Sequence, residues 1–164
     1  IKGQDGTAAI EFAIVALPFF AILFAILETA IIFFAGQLLE TGLSDAARLV
    51  RTGQAQDNEF DVAEFKEAVC ANVFALLDCD TGLKIDVRTL ENFGGASLPP
   101  PIDPDGDFKD DDFVYQPGSG GDIVLVRAFY EWPALVPNLG SSPSNLSNGN
   151  YLLSATATFR NEPF

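Results

Sequence analysis

The chain has 164 residues, 23 acidic against 9 basic groups, no histidine and no methionine, for a formal net charge of −14. Such an acidic field excludes nucleic acid and anionic headgroups as partners of the bulk of the chain, since both require clustered Lys and Arg to displace counterions. Without histidine, a metal-ligand cluster around the cysteines or a Gly-rich phosphate loop, acyl transfer, zinc hydrolysis and nucleotide chemistry lack their usual parts, and the expectation is a protein that is not an enzyme and carries no cofactor.

The first element is an apolar run from Thr7 to about Gly36, whose 30 residues make roughly 45 Å of α-helix where a bilayer core needs about 20 residues. Residues 1–6 precede it. A cleaved secretory signal would have a shorter apolar core ending in a small-residue cleavage site. The absent initiator Met is expected of an N-terminus that is processed, trimmed or preceded by residues outside this sequence, and Lys2 and Asp5 cancel, so the positive-inside rule orients the span only weakly. Within the run stand two carboxylates, Glu11 and Glu28, too close together for both to escape hydrocarbon, and a carboxylate there costs a few kcal/mol unless it has a partner or a task. Glu28 is either a boundary residue wetted by headgroups or a polar contact between packed helices. Pro18 removes one backbone bond and favours a kink.

Helical signal continues through Leu39, Leu43, Ala46 or Ala47 and Val50 at spacings of three and four, so one helix is predicted from Thr7 to Thr52, lipid-embedded below, amphipathic above, and stopped at Gly53. Gly42 should loosen this stem. Arg48 and Arg51, one turn apart, snorkel toward headgroups, pair with acidic residues of a neighbouring subunit, or face water. After residue 53 the chain is a soluble acidic head, residues 54–164, holding twelve of the fourteen net negative charges.

A second helix is predicted from Glu59 to Leu77, capped by Asp57 or Asn58, with Phe65, Val69 and Val73 on its apolar face. Cys70 and Cys79 are either a disulfide worth about 2–3 kcal/mol in an exported domain or two reduced thiols in a cytosolic one. Bonding requires the helix carrying Cys70 to end before Cys79, because nine helical steps hold the Cα atoms about 13 Å apart, beyond the ~7 Å limit. Asp80-Thr81-Gly82 reads as a turn. Three β-branched or aromatic segments follow, Leu83 to Leu90, Asp122 to Trp132 and Tyr151 to Arg160. The fold class is therefore α+β: a long N-terminal transmembrane helix with an amphipathic stem, then a small head with one helix packed on an antiparallel sheet of about three strands.

Two long connections separate the strands, and loops of that length are usually functional or mobile. The first contains Asp103, Asp105, Asp107 and Asp111, low-prior calcium ligands by their spacing. The EF-hand pattern wants Gly where Phe108 stands and Glu where Val114 stands, which favours an acidic solvated loop. An adhesin head that depends on calcium would rest on this loop alone. Asn145-Leu146-Ser147 fits the N-glycosylation triplet, a pattern short enough to arise by chance.

Gly6-Thr7-Ala8-Ala9-Ile10-Glu11-Phe12 resembles the processing segment of type IV prepilins. Together with Glu28 in the apolar run, Ala46-Ala47-Arg48 on the stem, the strand Val124 to Pro133 and the C-terminal Phe159 to Phe164, it resembles TadE-like proteins, the minor pseudopilins of the tight-adherence (Flp, type IVb) pilus system. The resemblance implies cleavage between Gly6 and Thr7, a carboxylate at the fifth mature position, bacterial inner-membrane anchoring by a single pass, a periplasmic or extracellular head, and a structural part in assembling an adhesive pilus through protein partners in the membrane or filament. A rival expectation is an accessory subunit of an inner-membrane complex, anchored by the same span and using the acidic head to dock a cationic partner.

Overall fold

The computed structural model describes residues 5–71, 73, 76–79, 81–94, 98, 100–134 and 144–164, with the backbone alone for Asp5 and Gly6. Residues 1–4, Asp80 of the expected turn, and 135–143 of the second connection lie outside the described residues. Helix α1 runs from Asp5 to Arg51, 47 residues and about 70 Å, without interruption at Pro18. It closes at Gly53, whose φ of +82° is the left-handed conformation that favours glycine at a helix end.

The predicted second helix is shorter and starts later. A single turn, α2 (Gln54–Asp57), is followed by α3 (Val62–Cys70), capped by Asp61. Asp61 Oδ1 accepts the Ala63 and Glu64 amides at 2.7 and 3.0 Å, and Glu64 Oε2 accepts the Asp61 amide at 2.6 Å, a reciprocal capping box. The Asp-x-x-Glu signature at 61–64 therefore sets the start, and Glu59, with φ +55°, lies outside the helix. Its end is set by the disulfide. Cys70 and Cys79 are bonded with Cα atoms 6.2 Å apart, which the chain achieves by leaving the helix at Ala71. Val73 and Leu77, expected on a continued helix, reach the core from the irregular segment instead.

The sheet has three antiparallel strands in chain order, β1 (Leu83–Leu90), β2 (Ile123–Trp132) and β3 (Tyr151–Arg160). Its inner face, with Val87, Val124, Val126 and Leu153, packs on the buried stripe of α1 (Leu39, Leu43, Ala46, Val50) and on Phe65 and Val69 of α3. The 3.6-residue period of the stem is thus the core face of the head. That core also takes Ile32 and Ala35, which the sequence had given to the membrane run.

Gly42 does not loosen the stem. A Cβ there would stand 2.5 Å from the Val69 carbonyl oxygen and 2.8 Å from Val73 Cγ2, so glycine is what lets α1 and α3 approach.

The outer face of the sheet is partly roofed by the long first connection. Ile102, Phe108 and Phe113 pack over Phe129, Leu146 and Leu152, so the Asp-rich loop is an arm held down by aromatic contacts. Under it lies an ion pair. Asp86 is fully buried and receives Arg127 Nη2 at 2.7 Å, Arg88 Nε at 2.8 Å and the Val114 amide at 3.0 Å. The Arg127 guanidinium also sits 5.4 Å from the Phe129 ring centre and 5.8 Å from that of Phe113.

Removing the Cys70–Cys79 bond should cost about 2–3 kcal/mol by loop-closure entropy. The check is urea unfolding of the head with and without reductant. A Cys70→Ala/Cys79→Ala variant should match the reduced protein.

Candidate functional site

Among the described residues, the stretch of α1 from Thr7 to Leu27 packs against nothing else. Its most apolar 18-residue stretch has a mean hydropathy of 2.6 and none of it is buried, with Ile10, Phe12 and Leu17 among the largely exposed side chains. A soluble protein could not hold so large an apolar surface in water. One helix is therefore long and apolar enough to cross a membrane.

The head fixes where the span can end. Because Ile32 and Ala35 are in the head core and Gly36 faces Leu153, bilayer can reach only to about Glu28 on that face. Thr7 to Leu27 rises about 30 Å, which equals a hydrocarbon core. Glu28 stands at this junction, 5% exposed within its own chain, on the same face as Ile32 and Ala35. Lipid headgroups therefore do not wet it.

Glu11 is different. It lies about 26 Å below Glu28, exposed on the bare helix beside Phe12, and Thr7 is one turn beneath it. The Gly6–Thr7 junction lies within α1, near the N-terminal end of the described residues. The structure thus keeps Gly6, Thr7, Glu11 and Phe12 on one short segment and leaves Pro18 farther up the same span.

Residues 6–48 match the TadE-like protein family. The matched stretch begins at Gly6 and ends at Arg48, so it covers the bare span and the stem face that enters the head core. The TadE-like match does not extend to Val124–Pro133 or to the C-terminal segment. No curated protein and no solved structure shows a significant match to the chain.

Other candidates from the sequence are not at this site. Arg48 and Arg51 lie some 30 Å above Glu28 along the helix, too far to snorkel. Arg51 pairs instead with Glu162 of the same chain at 3.3 Å, while the Glu162 amide donates to the Arg51 carbonyl at 2.8 Å. Buried Asn161 donates from Nδ2 to the Pro117 and Ser119 carbonyls at 3.0 Å, so the C-terminal segment locks onto the top of the stem.

The calcium candidates are not assembled, and among the described residues no group of three or more acidic, Cys or His side chains could hold a metal ion. Asp103 folds its own turn: Oδ1 accepts the Asp105 and Asp107 amides at 3.0 and 2.9 Å, and the Asp107 amide holds the carboxyl below the usual range. Asp107 accepts the Ser147 hydroxyl, and Asp110 pairs with Lys84 at 2.9 Å. Asn145 of the glycosylation triplet accepts the Leu152 amide at 2.7 Å and starts β3.

Two further titrating groups report the packing of α3. The Asp61 carboxyl is held low, chiefly by the Glu64 amide it accepts. Burial pushes the Tyr115 phenol up to about 12, helped by the charges of Asp61 and Glu64.

Proposed function

We propose that this chain is a structural, pilin-like subunit of a TadE-like kind, anchored by a single pass in a bacterial inner membrane and taking part in the assembly of an adhesive pilus. The head stands on the periplasmic or extracellular side, the partners are proteins met through the N-terminal helix, and neither a reaction nor a cofactor is required. The observation that carries this reading is the bare, membrane-length helix whose matched segment places Gly6 at its foot and Glu11 inside the apolar surface. A carboxylate there is a liability in lipid and becomes favourable when a neighbouring subunit supplies a positive group, for which a free Thr7 amine is suited. The Cys70–Cys79 bond agrees with an oxidising compartment.

Glu11 makes no contact with the head, so Glu11→Ala should leave the head's melting and the membrane-bound amount unchanged while reducing incorporation into filaments by at least about tenfold, a difference of ~1.4 kcal/mol. Immunoblotting of sheared filaments against membranes reads this. Unchanged incorporation would remove the assembly role of Glu11.

One observation favours the accessory-subunit reading. Helix α1 is continuous through the Gly6–Thr7 junction, as an uncleaved anchor would be. In that case the N-terminus is retained and the acidic head docks a cationic partner of the membrane complex.

A further inference from the structure

The two outer strands of the sheet are treated differently. On β1 the Val87 amide donates to the Val114 carbonyl, and the Val87 carbonyl accepts the Gln116 amide, both at 2.8 Å, so the arm occupies the middle of that edge. On β3 the Asn161 amide donates to the Asp122 carbonyl, which assigns the odd-numbered residues to the β2 ladder and turns the even-numbered ones outward. The Leu152 amide confirms the parity by bonding Asn145, and the Glu162 amide by bonding Arg51. Between these two closures, the outward backbone groups of Ser154, Thr156, Thr158 and Arg160 make no backbone hydrogen bond among the described residues. The charged residue of this stretch is Arg160 at its upper end, and from Ser154 to Thr158 there is no proline and no charge, the usual devices that blunt an edge.

At its lower end the edge opens onto a cleft of about 320 Å³ between β3 and the stem, lined by Ile32, Phe33, Gly36, Glu40, Leu153 and Ser154. We propose that the β3 edge and this cleft accept an extended segment of a different protein, which adds a fourth strand, sets an apolar side chain in the cleft and brings a Lys or Arg near Glu40. Charge selects the segment: the chain is acidic overall, and Glu40 is the ionisable residue on the cleft wall.

Geometry disfavours a second copy. Strand β3 climbs beside α1, with Leu153 at the level of Gly36 and Glu162 at that of Arg51, so it points away from the membrane. Two copies in one membrane have parallel β3 strands and cannot pair them antiparallel. A two-fold axis along the strands would set amide against amide. The arm, seated on the middle of the β1 edge, obstructs the remaining pairing between sheets.

The test is hydrogen exchange resolved to single amides, on the full chain in nanodiscs, with a synthetic seven-residue peptide of alternating Val and Thr, a central Leu and a Lys at each end. The amides of residues 154, 156, 158 and 160 should exchange freely in the chain alone and at least about tenfold more slowly with peptide. The amides of 155, 157 and 159 should be protected in both. Thr156→Pro should lose the slowing, Thr156→Val should keep it, and both should melt within a few degrees of the parent. A peptide flanked by Glu should bind at least about tenfold more weakly. Protection in the chain alone, protection that grows with chain concentration, or no response to the Lys-flanked peptide would each overturn the proposal.

Discussion

Asp86→Ala should destabilise the head by about 3–5 kcal/mol, because it leaves the Arg127 guanidinium buried without its counter-charge. Asp86 is fully buried and Arg127 is 7% exposed, and the pair faces directly across β1 and β2. The same carboxylate accepts Arg88 and the Val114 amide, so the substitution also releases the arm from the edge of β1. At about 3 °C or more per kcal/mol for a domain of this size, the melting temperature should fall by about 9 °C or more. The double variant Asp86→Leu/Arg127→Met should recover much of the loss, since a buried pair replaced as a unit by apolar groups is often close to neutral. Thermal unfolding of the oxidised protein in nanodiscs reads both. Equal losses in the single and double variants would show that the pair's charges are not what holds this region.

The second large effect separates two glycines on one helix. At Gly42 a methyl group would stand 2.5 Å from the Val69 carbonyl oxygen, an atom that cannot turn away without moving α3. At Gly36 it would stand 3.8 Å from Leu153 Cδ2, an ordinary contact. Alanine gains about 1 kcal/mol of helix propensity at either position. Overpacking of about 1–3 kcal/mol opposes it at Gly42 alone. Gly42→Ala should therefore lower stability, Gly42→Val should lower it further, and Gly36→Ala should raise it by up to about 1 kcal/mol. Urea unfolding of the three variants checks the order, and a gain at both glycines would contradict the close approach of α1 and α3.

What could be read from the sequence was local and periodic. The stem stripe through Leu39, Leu43, Ala46 and Val50 and the three strands obey fixed spacings, and the structure places them within a residue or two of expectation. The start of α3 was also written locally, in Asp61 and Glu64, but the apolar pattern around Phe60 drew the helix too early and past Cys70. Long-range facts left no such trace. Asp86 and Arg127 are 41 residues apart, and nothing local distinguishes this pair from a solvated one until the strand register brings them together. Gly42 needed α3 before its purpose was visible. The burial of Glu28 and of Ile32 needed the head, which returns along the stem and claims the top of the apolar run. The arm gave one faint signal in advance: Ile102, Phe108 and Phe113 are apolar residues in a segment otherwise built for water.

The proposed role of Gly6, Thr7, Glu11 and Phe12 rests on a one-dimensional pattern, a small residue and then a carboxylate at a fixed step inside an apolar helix, and all four fall within the matched stretch 6–48. The structure adds the boundary. With the head seated down to the level of Glu28, the bare stretch of α1 from Thr7 to Leu27 is about one bilayer core long. The mass of the chain's N-terminus, recovered from membranes and from sheared filaments, tests the pilin account most directly. The account predicts Thr7 as the first residue in both, and a chain that still carries the residues before Gly6 in both would contradict it.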